Sequence, residues 1–137
     1  LVFAGIGVLT LIGGAVGAVA RYAVGGWVQH LLQERPSGMF PWGTLLINVT
    51  GCAVMGMLVP LFDRSLARPE LRMAILVGFL GAYTTWSTFS YETLRFINDG
   101  DFRRALSYAV GTNAGCFLAV WIAYRTMQWL LTTARAH

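Results

Sequence analysis

Lysine is absent from this 137-residue chain, so its ten positive charges are all arginines, and only six acidic residues stand against them. Charged side chains make up 12% of the sequence, well below the roughly 25% usual in soluble domains, which argues against a water-exposed surface of ordinary extent. The basic balance, +4 with a pI near 9.6, would suggest nucleic acid in a soluble protein. Here the arginines are scattered over loops and helix ends instead of forming a patch, so contact with lipid headgroups is the expected role and no nucleic-acid partner is expected. The chain has only two cysteines, Cys52 and Cys116, each inside an apolar stretch where a thiol behaves as a small apolar group, and no disulfide is expected. No nucleophile, metal cluster or pair of acids suggests catalysis, so the chain does not read as an enzyme.

What the sequence does contain is apolar surface: 56% of its residues are hydrophobic and the mean hydropathy is +0.60. Four apolar stretches, each near or above the about 20 residues needed to cross hydrocarbon, cover residues 1–32, 41–62, 71–97 and 102–131. They leave room for a single integral-membrane domain over 1–137 and for no separate soluble one. The first stretch lacks a basic leader and continues through Arg21 and Trp27, so it is expected to be a mature helix. QERPSG, DRSLARPE and NDGD separate the stretches, and Asp101 is placed to cap the last helix.

Cytoplasmic loops normally carry the excess of positive charge. With four spans the termini share a side, which holds Arg64, Arg68, Arg72, Arg125 and Arg135, while Arg35, Arg95, Arg103 and Arg104 fall on the other. Five against four is almost no bias, which leaves open either a single orientation or a homodimer made of one copy of each. Gly13 with Gly17, Gly14 with Ala18, and Gly111 with Gly115 have the spacing that lets membrane helices approach closely.

Polar residues inside the apolar stretches carry the functional signal. Arg21 costs on the order of 2.5–3.5 kcal/mol to insert, so it is either a functional residue or snorkels to the interface beside Tyr22 and Trp27; either way it supplies positive potential near one mouth of what the bundle encloses. Thr44 and Asn48 share one helical face, and Tyr108, Thr112 and Cys116 form a second polar stripe. The third stretch contains GFLGAYTTWSTFSYE at 78–92, whose first half is a poor helix interior. A break there would bare carbonyls able to hold a monovalent cation, and irregular backbone at membrane depth is tolerated only when buried in protein or lining a cavity. Trp86 and Phe89 then offer electropositive ring edges that a small anion could meet.

These stretches, with GGAVGAVARY at 13–22 and GTLLINVTG at 43–51, resemble the Fluc (CrcB) fluoride-channel family. The resemblance spans essentially the whole chain. It implies an all-α membrane protein of four transmembrane helices, the third broken near its middle, assembled as an antiparallel dual-topology homodimer in the bacterial inner membrane. It further implies passive fluoride export through two pores, with a structural sodium ion at the centre of the dimer. By position, Asn48, Trp86, Phe89, Ser87, Thr88, Ser90, Thr44, Tyr108, Thr112, Cys116 and Glu92 would line the pore. Arg21 would stand at its vestibule, and the carbonyls of Gly81 and Thr84 would hold the sodium. Trp86 stands where the family has phenylalanine, Ala82 where it has glycine, and Cys116 where a hydroxyl is expected. Two other classes are compatible with the length: a proton-coupled four-helix multidrug-type exporter, which needs an intramembrane carboxylate, and a noncatalytic subunit whose polar residues only glue helices.

Overall fold

A computed structural model describes residues 2–32, 40–64 and 68–134, and every secondary-structure element among them is helical. Helix α1 is Val2–Leu32 and α2 is Trp42–Arg64. A composite third path follows: α3, Pro69–Met73, continues through a π-helical segment, Ala74–Phe79, into α4, Leu80–Tyr83, and then breaks before α5, Trp86–Asn98. Helix α6, Phe102–Thr133, completes the bundle. The QERPSG segment, Arg35 and Arg135 lie outside the described residues, as does part of DRSLARPE.

Three of the helices are long and apolar enough to cross a membrane: Gly5–Leu32, Trp42–Arg64 and Phe102–Thr133. Their outward faces are what water would reject, with Leu11 75% exposed, Val19 68% and Phe117 70%. Apolar residues all around a helix suit lipid, which makes this a multi-pass membrane protein. The composite path contains no single helix of that length, because the break divides it.

Contacts fix how the helices run. Thr10, Gly13, Gly17 and Arg21 of α1 meet Gly78, Ala74, Phe79 and Ala82 in turn, so α1 runs parallel to the first half of the composite path. Gly25 of α1 meets Ile47, while Gln29, further along α1, meets Gly43 and the Phe40 carbonyl just before α2, which makes α1 and α2 antiparallel. Val49 meets Gly115 and Gly56 meets Val120, so α2 and α6 run parallel. Residues 99–101 turn the chain between α5 and α6: Gly100 takes the left-handed conformation at φ 77°, and Asp101 caps α6 by accepting the Arg104 N–H at 3.0 Å. Behind this turn Phe89, Phe96, Ala105 and Tyr108 form the buried core cluster.

Helix packing is close enough to exclude side chains. A Cβ on Gly13 would strike the Ala74 carbonyl oxygen, and one on Gly17 that of Phe79. The contact between α1 and the π-helical segment is therefore backbone on backbone. The pair Gly111 and Gly115 behaves differently, since Gly111 has open space around it while Gly115 abuts Val49.

Gly17→Ala is expected to cost about 1–3 kcal/mol by overpacking. Gly5→Ala, where no atom lies within 4 Å of the added methyl, is expected to be neutral or slightly stabilising. Thermal loss of the monodisperse detergent-solubilised species measures the difference.

Candidate functional site

The site is organised around the interruption at Thr84 and Thr85. Both residues are extended, at φ −82°, ψ 159° and φ −147°, ψ 113°. Thr84 closes α4, its N–H and hydroxyl both donating to the Leu80 carbonyl at 3.0 and 2.9 Å. Thr85 opens α5 as its N-cap, its Oγ1 accepting the Thr88 N–H at 3.3 Å. The break leaves the Thr85 N–H without a helical acceptor, and Asn48 of α2 supplies one. Asn48 Nδ2 donates to the Thr85 carbonyl at 3.1 Å, and the Thr85 N–H donates to Asn48 Oδ1 at 2.8 Å. Asn48 and Thr85 are both buried, so this two-point clamp replaces hydrogen bonds that hydrocarbon could not give.

Two neighbours shape the break further. Gly51, one turn beyond Asn48, has no room for a Cβ because the Thr84 methyl fills that space, and Thr50 Oγ1 lies 3.0 Å from the Tyr83 hydroxyl. From the other side, Arg21 of α1 donates through Nε to the Ala82 carbonyl at 2.7 Å, with Nη2 turned to the same oxygen. Arg21 is half-buried and also lines the adjoining cleft.

Glu92 is the polar centre of that cleft. Its Oε1 accepts the Thr44 hydroxyl at 2.9 Å and its Oε2 the Tyr108 hydroxyl at 2.6 Å, joining α2, α5 and α6 through one carboxylate. Tyr108 is fully buried, with ring contacts to Phe40, Phe89 and Phe96. Thr44, Thr88, Glu92, Arg95 and Arg21 all line this cleft of about 330 Å³.

A second cavity, of about 250 Å³, lies beyond the clamp and is lined by Asn48, Trp86, Phe89, Thr112 and Cys116. Thr85 lines both spaces. The Phe89 ring is buried, with its centroid 5.0 Å from that of the exposed Trp86 and 5.2 Å from that of Tyr108. The Thr112 hydroxyl oxygen is buried and has no hydrogen-bond partner among the described residues.

The expected site residues therefore divide. Thr44, Thr88, Glu92 and Arg21 gather at the cleft, and Asn48, Trp86, Phe89, Thr112 and Cys116 at the cavity; Tyr108 stands behind both as a hydrogen-bond donor. Ser87 and Ser90 are exposed and line neither space, and the Ser90 hydroxyl donates to the Trp86 carbonyl at 2.9 Å. Thr85, Cys52 and Asn113 line the cavity without having been singled out. Of these, Thr85 carried a sequence signal, since it is the second threonine of the break. Gly81 is exposed, and because the Thr85 N–H is engaged by Asn48, the Gly81 carbonyl loses its ordinary helical donor. Among the described residues no three His, Cys, Asp or Glu side chains are grouped to hold a metal, so a cation here would depend on backbone oxygens.

Residues 8–124 match the profile of the family described as CrcB-like protein, Camphor Resistance (CrcB). A protein of Acidobacterium capsulatum named fluoride-specific ion channel FluC is 46% identical over 112 residues, covering 81% of this chain and 86% of its own. Proteins of the same name from Geobacter sulfurreducens and a Hydrogenobaculum species are 42% and 43% identical, over 79% and 80% of this chain and 85% and 87% of theirs. By the extent of these matches, the chain belongs to the CrcB family.

Proposed function

We propose that this protein is a fluoride-selective channel, not an enzyme, which lets fluoride leave the cell passively down its gradient. The observation that carries the reading is the buried Thr112 hydroxyl, without a hydrogen-bond partner among the described residues, on a residue that lines the cavity walled by the Phe89 ring. A buried hydroxyl without a partner leaves a donor unsatisfied. A small anion would use that donor.

The path we infer enters at the cleft of Arg21, Thr44, Thr88 and Glu92 and passes the clamp at Thr85. It continues along Asn48, Phe89, Trp86, Thr112 and Cys116, with Ser87 and Ser90 as outlying hydroxyls and Tyr108 holding Glu92. Each Asn48 amide has two N–H groups, and the clamp uses one of them, so the second remains as a donor. Fluoride is small and tightly hydrated, so a path selective for it must replace water with fixed donors and polarised ring edges. Larger anions would gain less from the same donors and clash more.

The alternation of helix directions supports four spans, with the composite path as the third. Its break supports a sodium site on the Gly81 and Thr84 carbonyls. The exposed Gly81 supports a second chain meeting the first at this point, as an antiparallel homodimer with two pores in the bacterial inner membrane. Sodium would supply fixed positive charge that binds the two chains at their centre.

Fluoride-electrode recording of efflux from proteoliposomes tests the function. Phe89→Ile and Asn48→Asp are each expected to abolish efflux while dimers still form; unchanged efflux in both removes these side chains from the path. Thr112→Val removes a donor worth about 1–3 kcal/mol, which predicts efflux lower by roughly 5- to 150-fold. Replacing fluoride with chloride, and imposing a pH gradient, separates a channel from a proton-coupled exporter: the exporter reading requires flux that follows the proton gradient.

A further inference from the structure

Cys52 and Cys116 take no part in the hydrogen bonding of the break, yet both line the cavity of about 250 Å³. Each sits one helical turn beyond a residue already placed there: Cys52 follows Asn48 on α2, and Cys116 follows Thr112 on α6. The two helices run parallel and pack closely one turn further on, where a Cβ on Gly56 would strike the Val120 carbonyl. Both thiols are free and half-buried, and the packing of α2 on α6 places both in the wall of this one cavity.

We propose that Cys52 and Cys116 form a two-thiol binding site for a soft divalent cation of linear coordination, of the mercuric type, in the wall of the cavity. Three features select that class. Thiolates prefer soft metals. No third His, Cys, Asp or Glu groups with them among the described residues, which leaves tetrahedral zinc two ligands short. A divalent ion bound by two thiolates is neutral, whereas a monovalent one would leave a net negative charge at membrane depth, where charge is costly. The exchange is balanced: mercuric chloride and two thiols give the bis-thiolate complex, two protons and two chloride ions, with no oxidant or reductant. The occupied site would obstruct the space beside Thr112 and Phe89, a consequence for flux that rests on the channel reading; the binding itself does not.

The test uses the full-length protein in detergent, titrated with mercuric chloride and then unfolded and treated with a maleimide. One equivalent per chain is expected to protect both cysteines at once, and the intact mass is expected to show one mercury on a single chain. Protection of only one thiol per equivalent, protection of neither, or a mercury linking two chains overturns the proposal. Cys52→Ser and Cys116→Ser should each lose the bridging complex and leave only a single-thiol adduct whose mercury excess small thiol removes more readily; a variant that keeps its mercury against that thiol as well as the unsubstituted chain does also overturns the proposal. These readouts are independent of fluoride flux, so failure of the site and failure of the channel reading are distinguishable.

Discussion

The double hydrogen bond between the Asn48 amide and the Thr85 backbone is the interaction on which the rest of the site depends. A helix interrupted within a membrane leaves an N–H and a carbonyl that lipid cannot satisfy, each costing several kcal/mol. An amide side chain matches both needs at once, because it carries a donor and an acceptor side by side. With the break held there, α5 can start afresh, Phe89 and Thr88 take their positions, and one continuous helix becomes two pieces with a polar junction. Arg21 plays the complementary part from α1 by engaging the Ala82 carbonyl. The junction is thus braced by two helices approaching from different sides.

That arrangement changes the meaning of the polar residues in the apolar stretches. Asn48 and Arg21 are structural supports of the break before they are anything to a permeating ion, and their positions beside the two cavities follow from that task. Glu92 is similar: its two oxygens tie Thr44 and Tyr108 together across three helices. Thr112 is the exception, since its hydroxyl supports no other described group.

Much of this was legible in the sequence because composition carries it. Long apolar stretches gave the helices, Asp101 gave a cap, and the glycine and threonines at 81–85 marked the interruption. The polar stripes at Thr44 and Asn48, and at Tyr108, Thr112 and Cys116, came from helical spacing. What spacing does not encode is partnership. The Asn48–Thr85 clamp joins residues 37 positions apart, and nothing local distinguishes a side chain that will hold backbone from one that will face a cavity. Arg21 likewise read as either an interfacial or a path residue, and spacing did not reveal that its guanidinium, besides lining the cleft, is turned to a carbonyl of the break. Cys52 and Asn113 reach the cavity through the crossing of α2 and α6, a property of the two helices together.

The π-helical segment left no mark on the sequence either, since AILVGF reads as ordinary membrane helix. Its wider turn is visible where the Leu80 N–H reaches back five residues to the Ile75 carbonyl. Such a turn contains one residue more than an α-helix spanning the same rise. Loss of a single residue within 74–79 could therefore be absorbed by closing the turn, leaving Thr85 opposite Asn48. Loss of a residue from Leu80–Tyr83 has no such reserve and would carry the interruption past its clamp. The two neighbouring segments of one helical path thus differ in their tolerance of length change, and the slack lies on the side of the break away from Phe89.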